Sequence, residues 1–169
     1  MTIGTKSVLF GAHQFLIHPC FVAVAWWELY GFTLDPRIYA ACLVHDWGYC
    51  GKINLDGKEG ELHPELGAKI MQYLFGDPWG YFTIRHSRYY SKNVLGLKPS
   101  KLCAADKLGT ALTWRWLYLL CANLTGEVQE YMLGQMARTP AGTKSQWRWF
   151  TDLQAHFRKW AYDNKDSLT

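Results

Sequence analysis

Nothing in this chain runs to 18 uninterrupted apolar residues, the length a helix needs to cross a bilayer. The amino-terminal residues lack the basic segment, long apolar core and small-residue cleavage site of a secretory leader. The five cysteines form no C-x-x-C pair and are odd in number, so a framework with every cysteine bridged is excluded. Cys42 and Cys121, set in apolar helical frames, read as reduced core residues. These absences give the expectation of a soluble, cytoplasmic protein with no membrane partner. Repeats, low-complexity tracts and linkers are missing too. The 169 residues read as one domain, 1–169, large enough to bury a core without staples. Hydrophobic residues make up 49%, so folding needs no partner. The net charge is +4, with the excess gathered in one segment, which argues against binding of extended nucleic acid.

What the chain does have is an ordered series of imidazoles and carboxylates: His18, His45-Asp46, His63, His86 and Asp106. These side chains are the ligand types of a divalent transition metal, with one or two ions of Mn, Fe, Zn, Co or Ni in view. His45-Asp46 closes the apolar run Ile38-Tyr39-Ala40-Ala41-Cys42-Leu43-Val44, so the pair should reach a site near a helix end. His13 and His156 read as ordinary surface or partly buried residues.

The series falls on separate predicted helices. Residues 17–30 form an amphipathic helix with His18 in its first turn and Gly31 as the stop. Asp35-Pro36 caps a second helix that runs to about 45. His63-Pro64 opens a third, ending near Gly76-Asp77-Pro78. A fourth runs from Trp79 to about Tyr90 with His86 inside it, and a fifth follows Pro99 and carries Asp106. Trp114 to Cys121 continue that fifth helix. Thr125 caps another through Met136, Thr139-Pro140-Ala141-Gly142-Thr143 is a turn, and Ser145 caps the last. Antiparallel helices of an all-α bundle can aim such side chains into one interior.

The order His, His-Asp, His, His, Asp resembles the HD superfamily of metal-dependent phosphohydrolases. The likeness rests on Leu43-Val44-His45-Asp46-Trp47-Gly48, His63-Pro64-Glu65-Leu66-Gly67-Ala68 and Ala104-Ala105-Asp106-Lys107-Leu108, with His18 at a fitting distance before His45. It covers about 18–107, the helices of 108–163 packing on that core. The resemblance implies an HD-like helical bundle with a metal site between helices. It implies that His18, His45, Asp46 and Asp106 hold one metal, and that His63 and His86 join Asp46 around a second. Asp46, His63 and His86 are then the catalytic group, and water acidified by the ions attacks phosphorus. A mononuclear site, with His63 and His86 contacting phosphate, is the alternative. His63 also stands where an N-cap would. Two departures matter. Tyr49 stands where the family pattern His-Asp-x-Gly-Lys has lysine, with Lys52 three residues on, and His86 is followed by Ser87-Arg88. The second departure speaks against cyclic dinucleotides.

Between Arg85 and Lys107 lie Arg85, Arg88, Lys92, Lys98, Lys101 and Lys107, with Asp106 the only acid. A basic rim concentrates anions, and arginine grips phosphate oxygens bidentately. The expected contacts for a small anionic, phosphate-containing substrate are Arg88 and Lys92, with Lys52, Tyr49 and Lys107. Tyr49, Tyr89 and Tyr90 are candidates to stack a base, and the glycine-rich loop 47–62 reads as a flap or a plain connector. In the last helix, Trp147, Phe150, Leu153, Phe157 and Trp160 form an apolar stripe, for core packing or a homodimer face; a membrane-surface helix is the minor alternative. The expected activity is hydrolysis of a nucleotide or other phosphate ester or anhydride. An HD-type di-iron oxygenase acting on a phosphonate or polyol shares the ligands. A non-catalytic nucleotide- and metal-binding module is the third reading.

Overall fold

The computed structural model describes residues 1–138 and 145–169, and among them there is helix and no strand. The predicted turn at Thr139–Thr143 lies outside the described residues. Local signals set the helices that were foreseen. Helix α2 (Ile17–Tyr30) stops at Gly31, whose φ of 84° is open to glycine. In α3 (Pro36–Val44), Asp35 accepts the Arg37 N–H at 3.0 Å and proline occupies the first turn. The next helix, α4 (Pro64–Phe75), ends at Gly76 with φ 87°.

Other boundaries differ from the sequence reading. A short helix, α1 (Ile3–Phe10), precedes the series, capped by the Thr2 hydroxyl. The helix expected from Trp79 to Tyr90 begins earlier and ends sooner, as α5 (Asp77–Ile84). His86 therefore lies in the turn that follows, and a π-helical stretch covers Tyr90–Leu95. The Ser91 hydroxyl draws this turn in by donating to the Ser87 carbonyl at 2.8 Å and the Arg85 carbonyl at 3.1 Å. Asp106 lies on α6 (Lys101–Leu112), which does not continue through Trp114. Thr113 and Trp114 are extended, and a new helix, α7 (Arg115–Thr125), starts. The break is stabilised by Gln154, whose side-chain amide donates to the Ala111 and Thr113 carbonyls, both at 3.0 Å. Gln154 lies 41 residues beyond Thr113 in the chain, so no local signal marks this end. Thr125 closes α7 rather than capping α8 (Glu127–Arg138); its hydroxyl bonds back to the Cys121 and Ala122 carbonyls. In α9 (Gln146–Asn164), the Ser145 hydroxyl caps the start as expected.

Helix α6 is the central element. Leu102 and Ala105 join Val22, Trp26, Ile38, Cys42 and Met71 in one core cluster. Ala104, Leu108 and Ala111 join Ala25, Leu29 and Ala161 in another. The stripe of α9 is spent on packing. Phe150 is fully buried, Leu153 lies against the α7–α8 cluster, and Phe157 and Trp160 pack against the α2–α6 cluster. Trp147 alone of the five stays half exposed. Among the described residues, no helix is long and apolar enough to cross a membrane.

Helix α4 meets the end of α3 at backbone distance. A Cβ at Gly67 would lie 2.5 Å from the Val44 carbonyl oxygen and 3.0 Å from His45 Cα. Gly67→Ala is expected to cost about 1–3 kcal/mol of stability and to displace His45. Thermal melting and metal content of the purified variant check this; wild-type values for both would refute it.

Candidate metal centre

The structure brings all six predicted ligand residues into one buried cluster of two groups. His18, His45, Asp46 and Asp106 form the first, and Asp46, His63 and His86 the second; within each group the ligand atoms lie within 4.8 Å of one another. The groups meet at the Asp46 carboxylate. Its Oδ2 faces His18 Nε2 at 3.4 Å and His45 Nε2 at 3.2 Å. Its Oδ1 faces His86 Nε2 at 3.4 Å and His63 Nε2 at 3.6 Å. Asp106 closes the first group, with Oδ1 at 3.2 Å from His18 Nε2 and 3.8 Å from His45 Nε2. Its other oxygen accepts from Lys107 Nζ at 2.8 Å.

Backbone carbonyls fix three of the imidazoles. His45, His63 and His86 each turn Nδ1 to the carbonyl three residues earlier: Cys42 at 2.8 Å, Gly60 at 2.7 Å and Thr83 at 2.7 Å. A carbonyl only accepts, so Nδ1 is the protonated nitrogen in each neutral ring and Nε2 presents a lone pair. This is the outer support typical of metal-bound histidine. It also disposes of the N-cap reading of His63, whose side chain makes no cap bond.

The chain's own atoms do not satisfy this cluster. His63 Nε2 and His86 Nε2 lie 3.0 Å apart, two lone pairs aimed at one point. Among the described residues, His18 Nε2, His45 Nε2 and Asp46 Oδ2 are buried without a hydrogen-bond partner. Buried polar atoms without partners are costly, and a divalent cation in each group would satisfy them together. The donor set, nitrogen and carboxylate oxygen without thiolate, suits Mn, Fe, Co, Ni or Zn.

The electrostatics agree. Burial disfavours the Asp46 charge, but the positive charge of His45 and His13 and the imidazoles beside it hold its pKa well below the usual range. Asp106 is likewise lowered against burial, chiefly by Lys107. Burial, then the charge of His86, pushes His63 well down. Burial lowers His86 too, against the pull of Asp46. His45 goes the other way. Burial works to lower it, but the Asp46 and Asp106 carboxylates raise it to about 10.

Above the cluster opens a cavity of about 710 Å³. Asp46, His63, His86 and Asp106 line it, as do the predicted contacts Arg88, Lys92, Lys107 and Tyr49. Lys52 is a correction, since it is not among the lining residues and its backbone carbonyl is instead bonded to Gly4. Tyr49 is not open to a base, because its ring stacks on His63 at 4.0 Å, tilted by 12°. Tyr89 lines the cavity, whereas the Tyr90 hydroxyl bonds to Glu65 at 3.2 Å. The loop 47–62 is anchored. Leu55 is buried with Val8 and Tyr49, and Glu130 Oε1 accepts the Leu55 and Asp56 N–H groups at 2.6 and 3.0 Å.

Sequence reasoning missed the far wall, built from Tyr118, Tyr131, Trp149 and Phe157 of α7, α8 and α9. It also missed His13, which lines the cavity with its ring 4.7 Å from that of Tyr49. Glu127, which holds His13, carried a signal: it is the first charge after an uncharged run from Trp116 to Gly126.

Fold and site together define an all-α protein with a buried, two-group histidine–aspartate centre suited to divalent metal. Comparison of the chain with models of known protein families, with curated proteins and with solved structures finds no match.

Two outcomes are expected. Asp46→Ala should lose metal from both groups, whereas His63→Ala or His86→Ala should lose it from the second alone; elemental analysis with an unchanged metal count in the histidine variants would remove the second group. The other concerns protons. Metal-free His45 holds its proton up to about pH 10, and a ligand imidazole must be neutral. Metal uptake near neutral pH should then expel about one proton per chain from this ring, read by calorimetry in buffers of different ionisation enthalpy. Since this pKa is raised above 6.5, the proton stabilises the metal-free fold fully below that pH. The contribution is lost as pH rises through about 10.

Proposed function

We propose that this chain is a metal-dependent phosphohydrolase of the HD type, acting on a nucleotide or another small phosphate ester or anhydride. The observation that carries the reading is the division of Asp46, with one oxygen toward each ligand group, in the residue order that resembles that superfamily. When bound, a pair of divalent ions in these groups supplies acidified water and the positive charge that offsets the phosphoryl oxygens. The chain's own groups supply the rest.

His45, His63 and His86 hold their Nε2 atoms toward the centre through the Nδ1 bonds to backbone. Lys107 keeps Asp106 oriented through its salt bridge, so this lysine serves the ligand first. Arg88 lies on the cavity wall with its guanidinium 5.1 Å from the Trp160 ring centroid. Stacking on the ring limits its freedom while leaving the planar edge for phosphate oxygens. Lys92 adds a second cation on the same wall. These groups would bind and orient an anion above the centre without a serine or cysteine nucleophile.

The test is metal analysis of freshly purified protein together with phosphate release from a nucleotide panel in Mn, Co, Zn or Fe. Metal with phosphate release supports the proposal and identifies the substrate class. Two irons per chain with no phosphate released would favour the HD-type di-iron oxygenase, acting on a phosphonate or polyol. Nucleotide binding without turnover in any metal would indicate a non-catalytic module. Within the proposal, Arg88→Ala should raise the apparent KM roughly tenfold or more, the worth of a charged hydrogen bond, and leave metal content unchanged. A silent Arg88→Ala would remove it as a phosphate contact.

A further inference from the structure

Behind the cavity lies a polar cluster that the metal groups do not use. Glu127, the first residue of α8, has no exposed surface. Its oxygens accept from the Ser7 hydroxyl at 2.9 Å, the Thr125 hydroxyl at 2.5 Å and the Ala12 N–H at 3.1 Å. Room for the carboxylate comes from Gly11, where a Cβ would stand 1.7 Å from Glu127 Oε1.

The proton count orients His13. Ser7 has one hydroxyl proton, and it goes to Glu127. The 2.9 Å contact between Ser7 Oγ and His13 Nδ1 is therefore donated by the ring. Glu127 Oε2, 3.4 Å from the same nitrogen, is a second acceptor for that proton. With Nδ1–H engaged on the Glu127 side, Nε2 is the ring's remaining hydrogen-bonding atom. His13 lines the cavity that has Asp46, His63, His86 and Asp106 along it, and its ring stands edge-on to His18, with centroids 5.9 Å apart. It belongs to neither ligand group. An imidazole held at one nitrogen by a buried carboxylate, with the cavity on its other side, presents its second nitrogen to a ligand there.

We propose that His13 is a substrate-contacting residue of this site, its Nε2 hydrogen-bonding to the phosphoryl group, with Glu127 and Ser7 as the groups that position the ring. The proposal rests on the phosphohydrolase reading. It assigns one member of the site to the segment before the ligand series, and its support to α8.

The experiment titrates inorganic phosphate into the Mn-loaded full chain by calorimetry, with metal content measured in parallel. His13→Phe keeps the bulk of the ring and removes its hydrogen-bonding nitrogens. Phosphate affinity should fall about ten- to a hundredfold, the range for a hydrogen bond to a charged group, at unchanged metal content. His13→Gln, which restores a hydrogen-bonding group, should recover part of it, and Glu127→Gln should weaken binding less than His13→Phe. His13→Asn takes the place of His13→Phe if that variant does not fold, with the same loss expected. Wild-type phosphate affinity in either folded variant overturns the proposal alone. Loss of metal from His13→Gln overturns it too, by making His13 a support of the metal groups. A wild-type chain that takes up metal but no phosphate would defeat the phosphohydrolase reading and this proposal together.

Discussion

Asp46 is a carboxylate almost wholly out of water, with histidine nitrogens on both of its oxygens. Taking one such charge into a protein interior costs several kcal/mol unless counter-charge is close. Here the same interior holds a second carboxylate, Asp106, and the two share His18 and His45. Lys107 answers only one oxygen of Asp106. The fold therefore concentrates negative charge beside the point where the Nε2 lone pairs of His63 and His86 converge. A cation in each group resolves both problems at once, and most of the local architecture follows from the need to hold that arrangement.

The supporting geometry repeats. His45, His63 and His86 each follow by three residues the carbonyl that accepts their Nδ1–H. Inside a long α-helix a carbonyl is committed to the N–H four residues on, whereas the last turn of a helix leaves its carbonyls free. That explains where the ligands stand. His45 ends α3, His63 lies between a 3-10 turn and α4, and His86 follows α5. The Thr83 and Gly60 carbonyls accept the backbone N–H of the same histidine, at 3.1 and 2.9 Å, as well as its ring, a turn geometry that a continuous α-helix does not offer. Early termination of α5 is thus part of the site's construction, and the serine-stabilised turn behind it serves the same end.

Helix ends encoded by neighbouring residues were legible in the sequence. The Asp35-Pro36 start and the glycine stops at Gly31 and Gly76 need nothing from the rest of the chain. The break between α6 and α7 was not legible, because it is stabilised by Gln154 from α9. Thr125 misled for a related reason: its hydroxyl turns back to the Cys121 and Ala122 carbonyls and ahead to the Glu127 side chain, not to the backbone of α8. Of the site, the six ligand residues could be named because an ordered series of imidazoles and carboxylates is rare in such a chain. Their support could not, since the carbonyl partners carry no residue signature. Lys52 was drawn in by closeness to His45-Asp46 in the sequence, yet the chain turns it out of the cavity. His13 looked ordinary alone, and what singles it out is Glu127, more than a hundred residues away.

The C-terminal third, which reads in sequence as plain architecture, carries one aromatic wall of the cavity. The ligands come from the loop and helix ends of the first part and from α6, while α7, α8 and α9 supply the aromatic wall opposite. Helix α8 enters the site a second way. Glu127 and Glu130, one turn apart on it, reach in two directions, the first to Ser7 and Ala12 behind His13, the second to the backbone of Leu55 and Asp56. The longest loop joining two ligands and the histidine beside them are therefore tied to the same helix. None of the six ligand residues belongs to α8. The loop so anchored also carries the Gly60 carbonyl that fixes His63, so a shift of that helix would bear on one ligand of the second group as well as on the walls and His13. The first ligand group stands apart from this link, its His45 held by the Cys42 carbonyl and its Asp106 by Lys107.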